Sequence, residues 1–245
     1  MIESLQEGRI YFDEALQILI ETDFRAGQCL AYWGMGLWEA LLGQYGAALE
    51  DLENGLSIAT EIGHRQWMAG NLSALGMVYC NLLEGEKGRQ YSEQALSLSK
   101  GVGSRYWTKM AAGTLANACL LLGDPARGLA FLEEELDDQT SMHTVGNRYC
   151  WSRRAELALA QHEPALALEI VDQIIASIPG MSAESVNTSL WRLRGEILLE
   201  MGRTDEAEEL LNTAILHART IGEENIIWRL HASLGRLYRK TNCDA

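Results

Sequence analysis

The feature that most constrains this chain is a recurrence of small residues at a nearly fixed distance. Gly36, Gly76, Ala116, Ala155, Gly195 and Gly235 stand 40, 40, 39, 40 and 40 residues apart. Gly8, Ala48, Gly88, Gly128, Ala167 and Ala207 form a second column with steps of 40, 40, 40, 39 and 40. A third column, Ala15, Gly55, Ala95, Glu135, Ile174 and Ala214, keeps the same steps but loses its small residue twice. One deletion between the third and fourth units therefore registers in every column. A period of this length marks an array of supersecondary units, each stacked on its neighbours.

Between the columns, apolar residues recur at helical spacing, as in Leu193 and Ile197, then Leu210, Leu211 and Ala214. This is the period of a helix face, not the alternation of a strand. Each unit thus reads as two helices. Gly43, Gly85, Gly123 and Gly202 punctuate the turn between them, with an acid and a proline at Asp124-Pro125 and Glu163-Pro164. Proline at the first helical position loses no hydrogen bond, and a preceding Asp can cap. Gly63, Gly103 and Gly222 stand where a left-handed residue would end the second helix. Glycine inside a helix costs about 1 kcal/mol relative to alanine, so its return in the first two columns predicts a close approach of neighbouring backbones. Leu75, Tyr79, Leu132 and Leu211 are expected to fill the space beside it.

The chain opens on a second helix, carrying Gly8, Phe12 and Ala15, and closes on a first helix, carrying Leu234, Gly235 and Tyr238. The expected fold is all-α and takes in residues 1–245 as one repeat domain of about twelve helices: a leading helix over 3–22, pairs over 28–63, 67–103, 107–142, 146–178 and 183–222, and a trailing helix over 224–240. The polar ending "RLYRKTNCDA" suits a capping helix. The acidic leading helix suits that task less well, an expectation of a chain that forms part of something longer.

Composition excludes several function classes. A chain of 245 residues that is 47% hydrophobic and 22% charged has ample material for a packed core. Its net charge of -14 opposes any general affinity for nucleic acid or an anionic membrane. The five cysteines, Cys29, Cys80, Cys119, Cys150 and Cys243, are odd in number and scattered without a C-x-x-C pair. They fit free thiols in a reducing cytoplasm, not a disulfide framework or a zinc site. The N-terminal stretch lacks the basic start of a signal peptide, and no apolar run approaches a bilayer span. No Walker loop, dinucleotide fingerprint or nucleophile elbow is present, and the histidines have no metal-ligand spacing. The expectation is no enzyme, no cofactor and no metal.

The stretch "NLSALGMVYCNLLEGEKGRQYSEQAL" has the Leu-Gly, Tyr, small-residue and Ala spacing of the tetratricopeptide repeat, and nearly the whole chain resembles that family. The period near 40, with "WRLRGEILLEMGRTDEAEELL" and "WRLHASLGRLYRK", is similar to the arrays of bacterial maltose-activator-type and signal-transduction ATPase regulators. The fourth unit departs from the pattern, lacking the turn glycine and the third-column alanine.

The resemblance implies a right-handed α-α superhelix whose first helices line a concave groove that binds a protein or peptide. Carried over position by position, that groove holds Leu30, Trp33, Leu37 and Leu41, then Ser73, Met77 and Asn81, then Asn117. Tyr149, Ser152 and Glu156 follow, with Arg192, Glu196 and Glu200, and finally Arg229 and Arg236. Trp33 with Leu37 reads either as an anchor pocket for a partner's side chain or as core packing against the leading helix. Arg192, Arg229 and Arg236 read either as a carboxylate or phosphate clamp or as surface pairs with local acids. Asn81 and Asn117 suit a peptide backbone or plain solvation. Arg154 and Arg194, which replace the family's leucine, are expected to pair with an acid on a neighbouring helix, with a ligand contact as the alternative. The run "EEELDD" at Glu133 to Asp138 reads as a solvated helix end. A small-molecule effector site and self-association stand as alternatives to peptide binding.

Overall fold

The computed structural model describes residues 8–136, 140–178 and 187–241. Among the described residues the chain forms twelve α-helices and no strand. It divides into two compact units, Met1–Asp137 and Asp138–Ala245. The first holds α1 (Gly8–Glu21), α2 (Arg25–Leu41), α3 (Tyr45–Glu61), α4 (Arg65–Asn81), α5 (Gly85–Gly101), α6 (Arg105–Leu121) and α7 (Pro125–Glu133). The second holds α8 (Val145–Ala160), α9 (Pro164–Ser177), α10 (Thr188–Glu200), α11 (Thr204–Ile221) and α12 (Glu224–Thr241). Of the expected spans, residues 3–7 of the leading helix, 137–139 and 183–186 lie outside the described residues.

In each unit successive helices pack antiparallel, and the first helices of successive pairs lie side by side, α2 with α4 and α4 with α6, then α8 with α10 and α10 with α12. This is the arrangement expected of a stack of helix pairs, a tetratricopeptide-like solenoid.

The sequence period of 40 resolves into two halves. α2 to α6 are each 17 residues long and begin every 20 residues. The residue that breaks each helix has a positive φ: Gly43 at 73°, Gly63 at 66°, Gly103 at 68° and Gly123 at 76°. At each such turn two backbone bonds close the helix end. At the first, Gly43 N–H donates to the Ala40 carbonyl and Gln44 N–H to the Glu39 carbonyl, the paired pattern of a Schellman cap.

Gly85, expected in one of these turns, is instead the first residue of α5, and Leu83 takes the left-handed position at φ 64°. The helix register decides this. Glu84 N–H still donates to the Tyr79 carbonyl at 2.9 Å, so whichever residue stands there is bent into the same shape. His162, at φ 63°, fills the corresponding place in the fourth pair, where the sequence offers no glycine.

The small columns sit where backbones meet. A Cβ on Gly36 would stand 2.5 Å from Leu52 Cγ and 2.9 Å from the Ala48 carbonyl oxygen, so α2 and α3 approach closely there. Leu52 and Leu75 fill the core beside them, and Leu132 and Leu211 do the same elsewhere, all fully buried. α7 ends at Glu133, short of the span expected for the second helix of its pair. Three consecutive acids oppose the negative C-terminal end of a helix dipole, which favours stopping there. Glu134 and Glu135 are not merely solvated, since Lys100 Nζ stands 2.7 and 3.5 Å from their carboxylates. Asp137 and Asp138 lie outside the described residues.

Candidate functional site

Two faces built from first helices carry the side chains of interest, one in each unit. In the first unit the face is aromatic. Trp33, three residues before the column glycine of α2, has its ring centroid 5.5 Å from Trp107 and 6.2 Å from Trp67. Trp67 and Trp107 lie 5.9 Å apart, and the Tyr106 ring meets Trp107 edge-on at 4.7 Å. Such tilted and edge-to-face pairs favour fixed ring positions. A Cβ on Gly70 would stand 2.9 Å from the Trp107 ring, so that glycine lets the indole lie across α4. His64 caps α4, its Nδ1 accepting from the Trp67 backbone N–H at 3.3 Å, which orients the turn bearing Trp67. Trp107 is buried, Trp33 and Trp67 are half-buried, and Leu30 and Tyr106 are exposed beside them.

The other groove positions of this unit divide by burial. Leu37 and Trp33 both pack against the α2–α3–α4 core. Leu41, Met77 and Asn81 are half-buried, while Ser73 and Asn117 are buried.

In the second unit the corresponding face is charged. Arg192 Nη2 stands 2.8 Å from Glu156 Oε1 on α8, and Arg192 Nη1 stands 2.9 Å from Glu196 Oε1. Arg153 pairs with Glu156 from the other side at 2.5 Å and lies over the Tyr149 ring. Arg236 of α12 pairs with Glu196, and the Ser233 hydroxyl donates to the same oxygen at 2.5 Å. A ladder of alternating charge thus links α8, α10 and α12, joining Glu156, Arg192, Glu196 and Arg236 of the expected groove. Burial pushes the Glu156 carboxyl up, but Arg153, Arg192 and Arg229 together hold it below the usual carboxylate range. Burial disfavours the Arg192 charge, yet Glu196 and Glu156 hold that guanidinium more firmly protonated than usual. Arg229 is half-buried, with its guanidinium over the Trp228 ring. Ser152 is half-buried, and the exposed Glu200 pairs with Lys240 at 3.4 Å.

Four arginines, Arg153, Arg192, Arg229 and Arg236, gather with Glu156 and Glu196 on this face. Arg194 lies elsewhere on α10, 3.2 Å from Asp172 of α9, an ion pair between neighbouring helices. Between α10 and α11 a cleft of about 450 Å³ is lined by Trp191, Arg194, Arg203 and Leu210 among others.

Trp67, Trp107 and Arg153 are absent from the positions read off the sequence. Trp67 and Trp107 stand forty residues apart, so column analysis extended to the first turn of each first helix would have found them. Arg153 carries only the weak signal of standing three residues before Glu156.

Cys29, Cys80, Cys119 and Cys150 are buried, and burial pushes the Cys29 and Cys119 thiols up, away from thiolate chemistry. Cys243 lies outside the described residues. Among the described residues no three His, Cys, Asp or Glu side chains gather as a metal site, and no helix is long and apolar enough to cross a membrane.

No protein-family model matches the sequence, and no curated protein matches it. Solved structures do match. NprR in complex with its cognate peptide NprX is similar with a TM-score of 0.65 at 14% identity, over 94% of this chain and 67% of that one. BtubC (BKLC) from P. vanneervenii is similar with a TM-score of 0.59 at 13% identity, over 95% and 91%. A kinesin light chain protein of nearly identical TPR-like repeats from Podosopora anserina has a TM-score of 0.48 at 14% identity, over 74% and 99%. At these identities the likeness to NprR and BtubC is one of fold, in keeping with the all-α, TPR-like solenoid architecture of the chain.

Proposed function

We propose that the chain is a non-catalytic interaction module, a single repeat domain in a cytoplasmic bacterial signalling or transcription-regulating system, whose first-helix faces bind a peptide segment or partner domain. The observation that carries this reading is the Trp33–Trp67–Trp107 cluster with Leu30 and Tyr106 exposed at its rim. Aromatic side chains dominate the energetics of protein interfaces. Here the rings hold one another in place, so a docking segment meets a surface that needs little further ordering. The arginine-rich first-helix face of the second unit suits an acidic segment, since complementary charge speeds encounter. NprR, of similar fold, is described with a peptide bound, which supports the same use.

A random peptide library panned on the wild-type chain tests this. The expected outcome is enrichment of segments with an aromatic or branched aliphatic anchor, and a loss of about tenfold or more in affinity for the selected peptide in Leu30→Ala/Tyr106→Ala. Enrichment of no consensus, or binding indifferent to that double change, overturns the reading. The cleft between α10 and α11, lined by Trp191, Arg194 and Arg203 together with Glu206 and Glu209, favours a second one, a small polar effector. Thermal shift against small polar metabolites, with Arg203→Ala as control, separates the two.

A further inference from the structure

Helical spacing puts Trp191, Arg194 and Leu198 on one face of α10. The same spacing lines up Arg203, at the N-cap of α11, with Glu206, Leu210 and Thr213, and Glu209 stands beside them. Leu211 lies over Gly195, where a Cβ would stand 2.8 Å from it, so the two helices are held close below the cleft. Its volume of about 450 Å³ is that of a site for a small organic molecule. We infer, building on the effector reading of this cleft, that it takes a small organic ammonium ion, with the apolar body on Trp191 and the charge at Glu209.

The lining charges decide the sign. Arg203 is committed to Glu206, its Nε and Nη2 standing 2.7 and 2.6 Å from the two carboxylate oxygens. That hydrogen bonding holds the Arg203 guanidinium more firmly protonated than usual and the Glu206 carboxyl below its usual range. Arg194 Nη2 stands 3.2 Å from Asp172, and the two pairs are close enough for Arg203 to feel Asp172 and for Glu206 to feel Arg194. Two cations and two carboxylates thus answer one another. Glu209 is left over. Thr213 donates its hydroxyl to the Glu209 main-chain oxygen at 2.9 Å, while among the described residues the Glu209 carboxylate has neither an ion pair nor a hydrogen bond. An anion entering the cleft would have to displace Glu206 or Asp172 and then face the remaining carboxylates. A cation meets one unanswered negative charge.

Trp191 supplies the rest of the site. A cation over an aromatic face is attracted by the ring quadrupole, most strongly over indole. Arg194 stands three residues along the same helix face, but its guanidinium is drawn to Asp172. The cation–ring contacts within the chain fall instead on Tyr79, Phe131, Tyr149 and Trp228. In the preceding pair the corresponding tryptophan, Trp151, is tied by its Nε1–H to the Thr140 carbonyl at 3.1 Å, a strap that Trp191 lacks among the described residues. Leu198 and Leu210 complete an apolar floor next to the indole. Arg194 Nε is buried without an acceptor, which suits a neutral oxygen on the ligand, since a carboxylate there would stand beside Asp172 and Glu206. The ligand class is therefore an amine with an apolar, ring-sized body and a hydroxyl or carbonyl oxygen.

Isothermal titration with three ring compounds of similar shape tests this: tyramine, which is cationic, p-ethylphenol, which is neutral, and p-hydroxyphenylacetate, which is anionic. Tyramine is expected to bind about tenfold more tightly than p-ethylphenol, and p-hydroxyphenylacetate to bind least. Glu209→Gln lies at an exposed position, so circular dichroism should match wild type, and tyramine should fall to the affinity of p-ethylphenol. Trp191→Leu should weaken tyramine by about tenfold. Equal binding of the three compounds, or tyramine binding indifferent to Glu209→Gln, overturns the inference. Preference for p-hydroxyphenylacetate also overturns it but leaves the effector reading standing, with the arginines as anchors. Binding of none of the three removes both.

Discussion

Arg192 of α10 is held 2.8 Å from Glu156 of α8, a partner 36 residues earlier in the chain, while its other terminal nitrogen holds Glu196. Removing the arginine leaves two carboxylates short of a partner in a half-buried setting. Arg192→Met should therefore lower unfolding stability by about 2–4 kcal/mol. Urea denaturation gives the number, and adding Glu156→Gln to the same chain should restore part of the loss.

Arg194, on the same helix, supplies the contrast. Its pair with Asp172 is solvent-accessible on both sides. Arg194→Met should change stability by about 0–1 kcal/mol, the usual range for exposed pairs. A loss as large as that of Arg192→Met would show that the Asp172 pair is stronger than its exposure implies.

Glu156 makes the fold acid-sensitive in a defined direction. Its carboxyl titrates below the usual range in the folded chain, and near 4.3 or so once unfolded. As pH falls, the unfolded chain takes up the proton first. The stability due to the ladder is complete above the unfolded value and drains away as pH drops through the folded one. Wild type should exceed Glu156→Gln most at neutral pH, with the gap closing below about pH 4.3, which thermal melts across a pH series will follow.

Glycine substitutions should split by location. Gly36→Ala drives a Cβ against the Ala48 carbonyl, which cannot turn aside, and should destabilise by about 1–3 kcal/mol despite better helix propensity. Gly46→Ala, in the first turn of α3 with nothing within 4 Å, should stabilise by about 0.5–1 kcal/mol. Equal effects at the two sites would remove the close-approach explanation of the columns.

Leu83 is bent to φ 64° by the turn it occupies and is exposed, so its side chain contributes little there. Leu83→Gly relieves a left-handed penalty of about 1–2 kcal/mol, partly offset by a more flexible unfolded chain. A small rise in Tm is expected in calorimetry.

The repeat period, the helix pairs and the class of fold were all legible in the sequence. Small residues at Gly36, Gly76 and Gly195 and apolar residues at helical spacing are local consequences of how one helix packs on the next, so they recur in every unit. Even Asp124 before Pro125 announced the cap that its side chain makes to the Arg127 N–H. Gly85 misled because a turn glycine and a first-turn glycine look alike until the register of α5 is known.

What the candidate faces contain was decided by tertiary structure. Trp33 stands near the middle of α2, yet it meets Trp67 and Trp107 in the first turns of α4 and α6. Ser73 and Asn117 share the nominal groove columns with Met77 but are buried. Arg192 read either as a clamp or as a pair with a local acid until α8 brought Glu156 to it. Helical periodicity is a property of neighbours three and four residues apart and is written into the sequence directly. Which side chains meet from helices forty residues apart depends on interhelical distance and rotamer, and those exist only once the helices are stacked.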